Sequence, residues 1–162
     1  MSTNPYWATL YSTKAAALQA LGRNKQALAT IDRGLELSPA DVSMMTVRGN
    51  ILRALKKPDS ARAMYRRALK YDSHNTATRK DLGLFEIENG RPLEAERQAY
   101  LIFEDDPQSP YPFLLVGLAA YDMQKYERAR RYLNVAVGRG QNMPETNLAR
   151  MVLNHIADIK TQ

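Results

Sequence analysis

Small and apolar residues recur along this chain at a step of 34. The stretch Leu21 to Pro39, LGRNKQALATIDRGLELSP, returns in altered form at 55–73, 89–107 and 123–141. Ala27, Ala61, Ala95 and Ala129 keep one column without exception. Ala15, Gly49, Gly83 and Gly117 keep a second. Two small-residue columns at one period indicate a helix–turn–helix unit stacked four times. The small side chains mark close backbone approach between helices, with no room for more than a methyl. The punctuation between apolar segments predicts the helices. The first covers about 6–20 and ends at Gly22. The second covers about 25–37, before Pro39. The third covers 42–55, capped by Asp41 or Ser43. Pro58 and Pro92 open the fourth and sixth, because proline at a first helical turn loses no hydrogen bond. The fifth covers about 76–88. The seventh begins near Pro110, and the eighth near Tyr126, ending at Gly138-Arg139-Gly140. No strand is predicted. From Pro144 to Lys160 a ninth helix carries Leu148, Val152, His155, Ile156 and Ile159 on one stripe. A stacked array needs its open apolar end covered, so this helix is expected to be a cap, with a partner-binding helix as the alternative.

The pattern resembles the tetratricopeptide repeat family, whose repeat is 34 residues of paired antiparallel helices. The repeats fall at 8–41, 42–75, 76–109 and 110–143, with 1–7 a lead-in or the remnant of a preceding repeat and 144–162 the cap. They cover 136 of 162 residues. The family's second-helix packing positions match Ile31, Tyr65, Ala99 and Leu133, then Gly34, Ala68, Ile102 and Ala136. Its leucine before the small residue is replaced by Lys14 and Arg48 in the first two repeats, and its closing proline by Ser73 and Gln141. The resemblance implies an all-α, α–α superhelical solenoid of four helix pairs plus a C-terminal capping helix.

Charge adds banding. The chain carries a net +6. The second repeat has eight basic and two acidic residues, the third four and eight. This favours charge-complementary partners or self-association as much as nucleic acid. The absence of cysteine excludes a disulfide framework and a thiolate metal site. No signal peptide is visible in Met1 to Trp7. The longest apolar run, YPFLLVGLAAY at 111–121, is too short to span a bilayer, which takes about 20 residues. Asn4-Pro5 stands 34 residues before Ser38-Pro39, so the chain is either an excerpt of a longer array or simply starts its first helix at Pro5. The expected location is the bacterial cytoplasm, or the periplasm if the chain is cut from a longer envelope protein.

Candidate chemistry is thin. His74 and His155 lack ligand spacing, and there is no phosphate loop. We expect no catalytic residue, no metal and no cofactor. Glu104-Asp105-Asp106 closes a helix where carboxylates oppose the dipole, a solvated or functional edge. Arg62, Arg66, Arg67 and Lys70 with Tyr65 and Tyr71, and Arg128, Arg130 and Arg131 with Tyr132, form basic helices with interleaved aromatics. By the family's geometry these helices are convex and Tyr65 is a core position, so RNA or DNA binding is the weaker reading.

The resemblance implies a concave groove lined by first helices that grips a peptide or partner helix. Carried over by position, it comprises Asn50, Arg53, Lys80, Leu84, Ile87, Tyr111, Leu114, Leu118 and Tyr121. Leu118 and Tyr121 lie nearest the cap helix and are the ones to pack beneath it. Asn50 sits where the family often keeps an asparagine that holds a ligand backbone. The family's carboxylate clamp finds Ser12 and Ala16, or Thr46, Asn50, Asp81, Tyr111 and Leu115, without its basic pair, so no clamp is expected. The resulting expectation is a non-catalytic adaptor for a protein partner, in bacterial secretion, pilus or envelope assembly. Self-association through the charged second and third repeats is the alternative.

Overall fold

The computed structural model describes residues 5–141 and 143–160. Among these residues the chain forms nine α-helices and no strand. They are α1 Pro5–Ala20, α2 Asn24–Leu37, α3 Val42–Ala54, α4 Pro58–Tyr71, α5 Thr76–Glu88, α6 Pro92–Asp105, α7 Tyr111–Asp122, α8 Tyr126–Arg139 and α9 Glu145–Lys160. The chain divides into two compact units, Met1–Asp81 and Leu82–Gln162.

Side chains and left-handed residues end the helices at the repeat step. The Asp41 carboxylate accepts from the Met44 amide at 2.7 Å. Asn75 does the same for Thr78 at 3.0 Å, and the Ser109 hydroxyl accepts from Tyr111 at 3.4 Å. Each satisfies a donor that the first turn leaves open. At the other ends, Gly22, Lys56, Gly90 and Gln124 have φ of 72°, 58°, 67° and 58°. The amide of each bonds the carbonyl three residues back, and the next amide bonds five back, as in Lys56 to Arg53 and Lys57 to Leu52, both 3.0 Å. This is the Schellman closure. Two of its four left-handed positions are not glycine.

In the first unit, Ala15, Ala27, Ile31, Met44 and Ile51 form a core cluster. A Cβ added at Gly49 would stand 2.7 Å from the buried Tyr65 ring, and one at Gly34 2.6 Å from the Met44 sulfur. The close approach is therefore tighter than a methyl allows at these sites. In the second unit, Ala95, Ala99, Ala129 and Leu133 are wholly buried. A Cβ at Gly117 would meet Leu133 at 2.6 Å. Gly83 differs: residue 99 is only an alanine, and the nearest atoms are those of Leu115, 2.7 Å from the added Cβ.

Helix α9 packs on α7 and α8; Val152 and Ile156 of the expected stripe face the core, but the rest of the buried side is shifted. Thr146, Ala149 and Ile156 are buried, with Val152 and Leu153 half-buried beside them. Leu148 and Ile159 are exposed instead. The small Ala149 lets α9 approach closely, which rotates the bulkier Leu148 outward.

Candidate functional site

Asn50 is tied down at both ends of its amide. Its Oδ1 accepts from the Tyr65 hydroxyl at 2.6 Å, and its Nδ2 donates to Asp81 at 2.7 Å. Lys80 lies 3.2 Å from the other Asp81 oxygen, with both side chains mostly buried. Two helices thus fix one amide. Gln19, Asn50, Arg53, Ala54 and Asp81 line an open depression of about 230 Å³. The sequence places Asn50, Arg53 and Lys80 on this face. Carried over by the same positions, Gln19 belongs to it too, while Asp81 entered only as a position of the clamp that is not expected; that it bonds Asn50 shows in the structure alone, because no spacing along a single helix joins them. Below it, the Thr46 and Thr78 hydroxyls share a buried hydrogen bond of 2.6 Å.

In the second unit two of the six expected apolar groove residues are core. Leu114 and Leu118 are buried, in a cluster with Leu133, Ala136 and Ala149. Leu114 corrects the sequence reading, which offered it to a partner, while Leu118, also carried over as a groove residue, packs beneath the cap as expected; one turn apart on α7, the two complete the α8 and α9 packing. Leu84, Ile87 and Tyr111 are half-buried and pack against this cluster and against Leu115, Ala99 and Ile102. They form a rim with an exposed side and a packed side. Tyr121 is half-buried, its ring 5.9 Å from both Tyr126 and the exposed His155.

The basic helices separate into two kinds. On α8, Arg128 pairs with Glu96 at 2.8 Å and Arg130 with Glu127 at 3.0 Å. Arg139 lies 4.2 Å over the Phe113 ring and donates to the Pro107 carbonyl at 2.7 Å. Its charges are mostly spoken for. Tyr65 is wholly buried, so it cannot stack a base. Among the described residues no group of three or more potential metal ligands occurs, and no helix is long and apolar enough to cross a membrane.

The family description "Tetratricopeptide repeat" matches residues 13–70 and again 46–110, more than half of the chain. The chain belongs to the tetratricopeptide repeat family. Its all-α solenoid is the fold of that family, a protein–protein interaction module that is generally a non-catalytic scaffold. Among curated relatives, Tetratricopeptide repeat protein 8 of Caenorhabditis elegans is 30% identical over 103 residues, covering 64% of this chain and 20% of that protein. The mouse N-alpha-acetyltransferase 16, NatA auxiliary subunit, is 27% identical over 163 residues, covering 88% of this chain and 19% of its own. The chain thus spans about a fifth of these relatives. Many solved structures share the fold, among them the next two. The Pseudomonas aeruginosa PilF structure superposes with a TM-score of 0.82 at 21% identity, covering 97% of this chain and 70% of its own. PilW, titled a widely conserved type IV pilus biogenesis factor, gives 0.77 at 20% identity, covering 93% and 72%.

Proposed function

We propose that this tetratricopeptide repeat chain is a non-catalytic adaptor that holds a segment of a protein partner against its first-helix face. The supporting observation is the polar depression of the first unit. Tyr65 and Asp81 pre-orient Asn50, and Arg53 and Gln19 complete the rim. Groups fixed before binding lose little entropy on binding, which favours affinity for an extended backbone or a polar helix face. Within the second unit, taken by itself, the half-buried Leu84, Ile87, Tyr111 and Tyr121 offer apolar contact of the kind a partner covers. The same fold occurs in a type IV pilus biogenesis factor, which supports a role in envelope or pilus assembly. The auxiliary-subunit relative fits a protein that positions others.

The test is capture of partners from a source lysate by wild-type protein and by Arg53→Glu, both first shown to be equally helical by circular dichroism. A protein retained by the wild type and lost from Arg53→Glu supports the reading. Equal retention by both removes the first-helix face from it.

A further inference from the structure

The outer face of α6 breaks the repeat pattern. At one outward column the second helices carry Lys25, Asp59, Leu93 and Glu127, and at another Asp32, Arg66, Tyr100 and Asn134. Only α6 places a large apolar or aromatic residue at both. Leu93 is 69% exposed, Tyr100 62%, and the neighbouring Phe103 43%. Exposed apolar residues that share one helix face are the kind of surface a docking partner covers. Beside it stand the exposed Glu104, Asp105 and Asp106, at the helix end where carboxylates oppose the dipole. The Tyr100 hydroxyl donates to Glu104, which raises the tyrosine pKa, and the three carboxylates give the patch its negative charge.

The outer face of α4 is its complement. Arg66, Arg67 and Lys70 are exposed there, with Tyr71 56% exposed beside them. Arg67 donates to the Pro39 carbonyl at 3.3 Å. Among the described residues Arg66 and Lys70 have no acidic partner. By contrast, Arg33 pairs with Glu36 at 2.6 Å, and the α8 arginines pair as above. Arg66 and Lys70 stand four apart on α4, as Tyr100 and Glu104 do on α6.

We propose that the α6 outer face is a self-association surface whose occupant is the α4 outer face of a second copy of this chain. Parallel packing of the two helices brings Arg66 onto the Tyr100 ring, a cation–π contact, and Lys70 onto Glu104. Leu93 and Phe103 supply the apolar area that makes the pairing more than ionic. One helix face on another buries little surface, so the association is weak, with a Kd of roughly micromolar order.

Sedimentation velocity from low to high micromolar concentration tests this, at low salt and at about 0.5 M salt, where the screening length shrinks to a few Å. Wild type should self-associate at low salt, with an apparent Kd about tenfold weaker or more at high salt. The variant Arg66→Glu/Lys70→Glu and the variant Glu104→Lys/Asp105→Lys should each stay monomeric. Mixed together they should associate again, because the acidic α6 of the first meets the basic α4 of the second. All four positions are exposed, and circular dichroism checks that each variant folds. Wild type that stays monomeric at low salt overturns the proposal. So does self-association that neither variant weakens, or a mixture that stays monomeric.

Discussion

At the scale of the residue, the left-handed turn positions carry stored cost. Gly22 and Gly90 adopt positive φ freely, while Lys56 and Gln124 do so at φ 58° with a Cβ that the conformation penalises by about 1–2 kcal/mol. Lys56→Gly should therefore stabilise the chain by roughly 1 kcal/mol, raising the urea midpoint with an unchanged slope. A lowered midpoint would show that the lysine side chain is held by something that outweighs the backbone strain. The sequence marked Gly22 as a helix end but was blind to Lys56 and Gln124. Nothing in their chemistry announces a left-handed residue; their place in the 34-residue column does. The capping column Asp41, Asn75 and Ser109 was half seen for the same reason, since three different side chains do one job. At the site, Asn50 was picked out from its position, but its two partners, Tyr65 and Asp81, come from other helices.

At the scale of the element, the helix pair is built on an exchange of volume. Ala15 stands opposite Ile31 within one cluster, and Gly49 stands opposite Tyr65. Adding a methyl at residue 49 puts it 2.7 Å from a wholly buried ring. Gly49→Ala should cost about 1–3 kcal/mol by overpacking. In the double variant Gly49→Ala/Tyr65→Ile, which copies the 15/31 pair, the two costs should couple and partly cancel, as contacting sites do. Strictly additive losses in a double-mutant cycle would mean the two residues do not share the space. The sequence showed that these columns were small, while the identity of the filler was a matter of packing. At Gly83 the filler is Leu115, because residue 99 is only an alanine. In the same way α9 was legible as an amphipathic helix, yet Ala149 decided which side it buries.

At the scale of the whole molecule, a repeat array should lose stability from its ends, since each unit is held by its neighbours. Helix α1 leaves Tyr6, Trp7 and Leu10 more than half exposed, with the Trp7 ring tilted against that of Tyr11 at 6.5 Å. Trp7 is the single tryptophan, so its fluorescence reports α1 alone. It should change at a lower urea concentration than the far-ultraviolet dichroism does. Coincident transitions would show that α1 is as firmly held as the rest. The sequence by itself determined the helix pairs, their step and their small-residue contacts. Those follow from local periodicity and from steric limits that repeat every 34 residues. Only the tertiary structure decided which side chains of that repeat are buried and which stay exposed. It turned Leu114 into core and joined Asn50 to Asp81. It also left α6 apolar on the outside. Burial depends on what the other helices bring to the same space, and no single column records that.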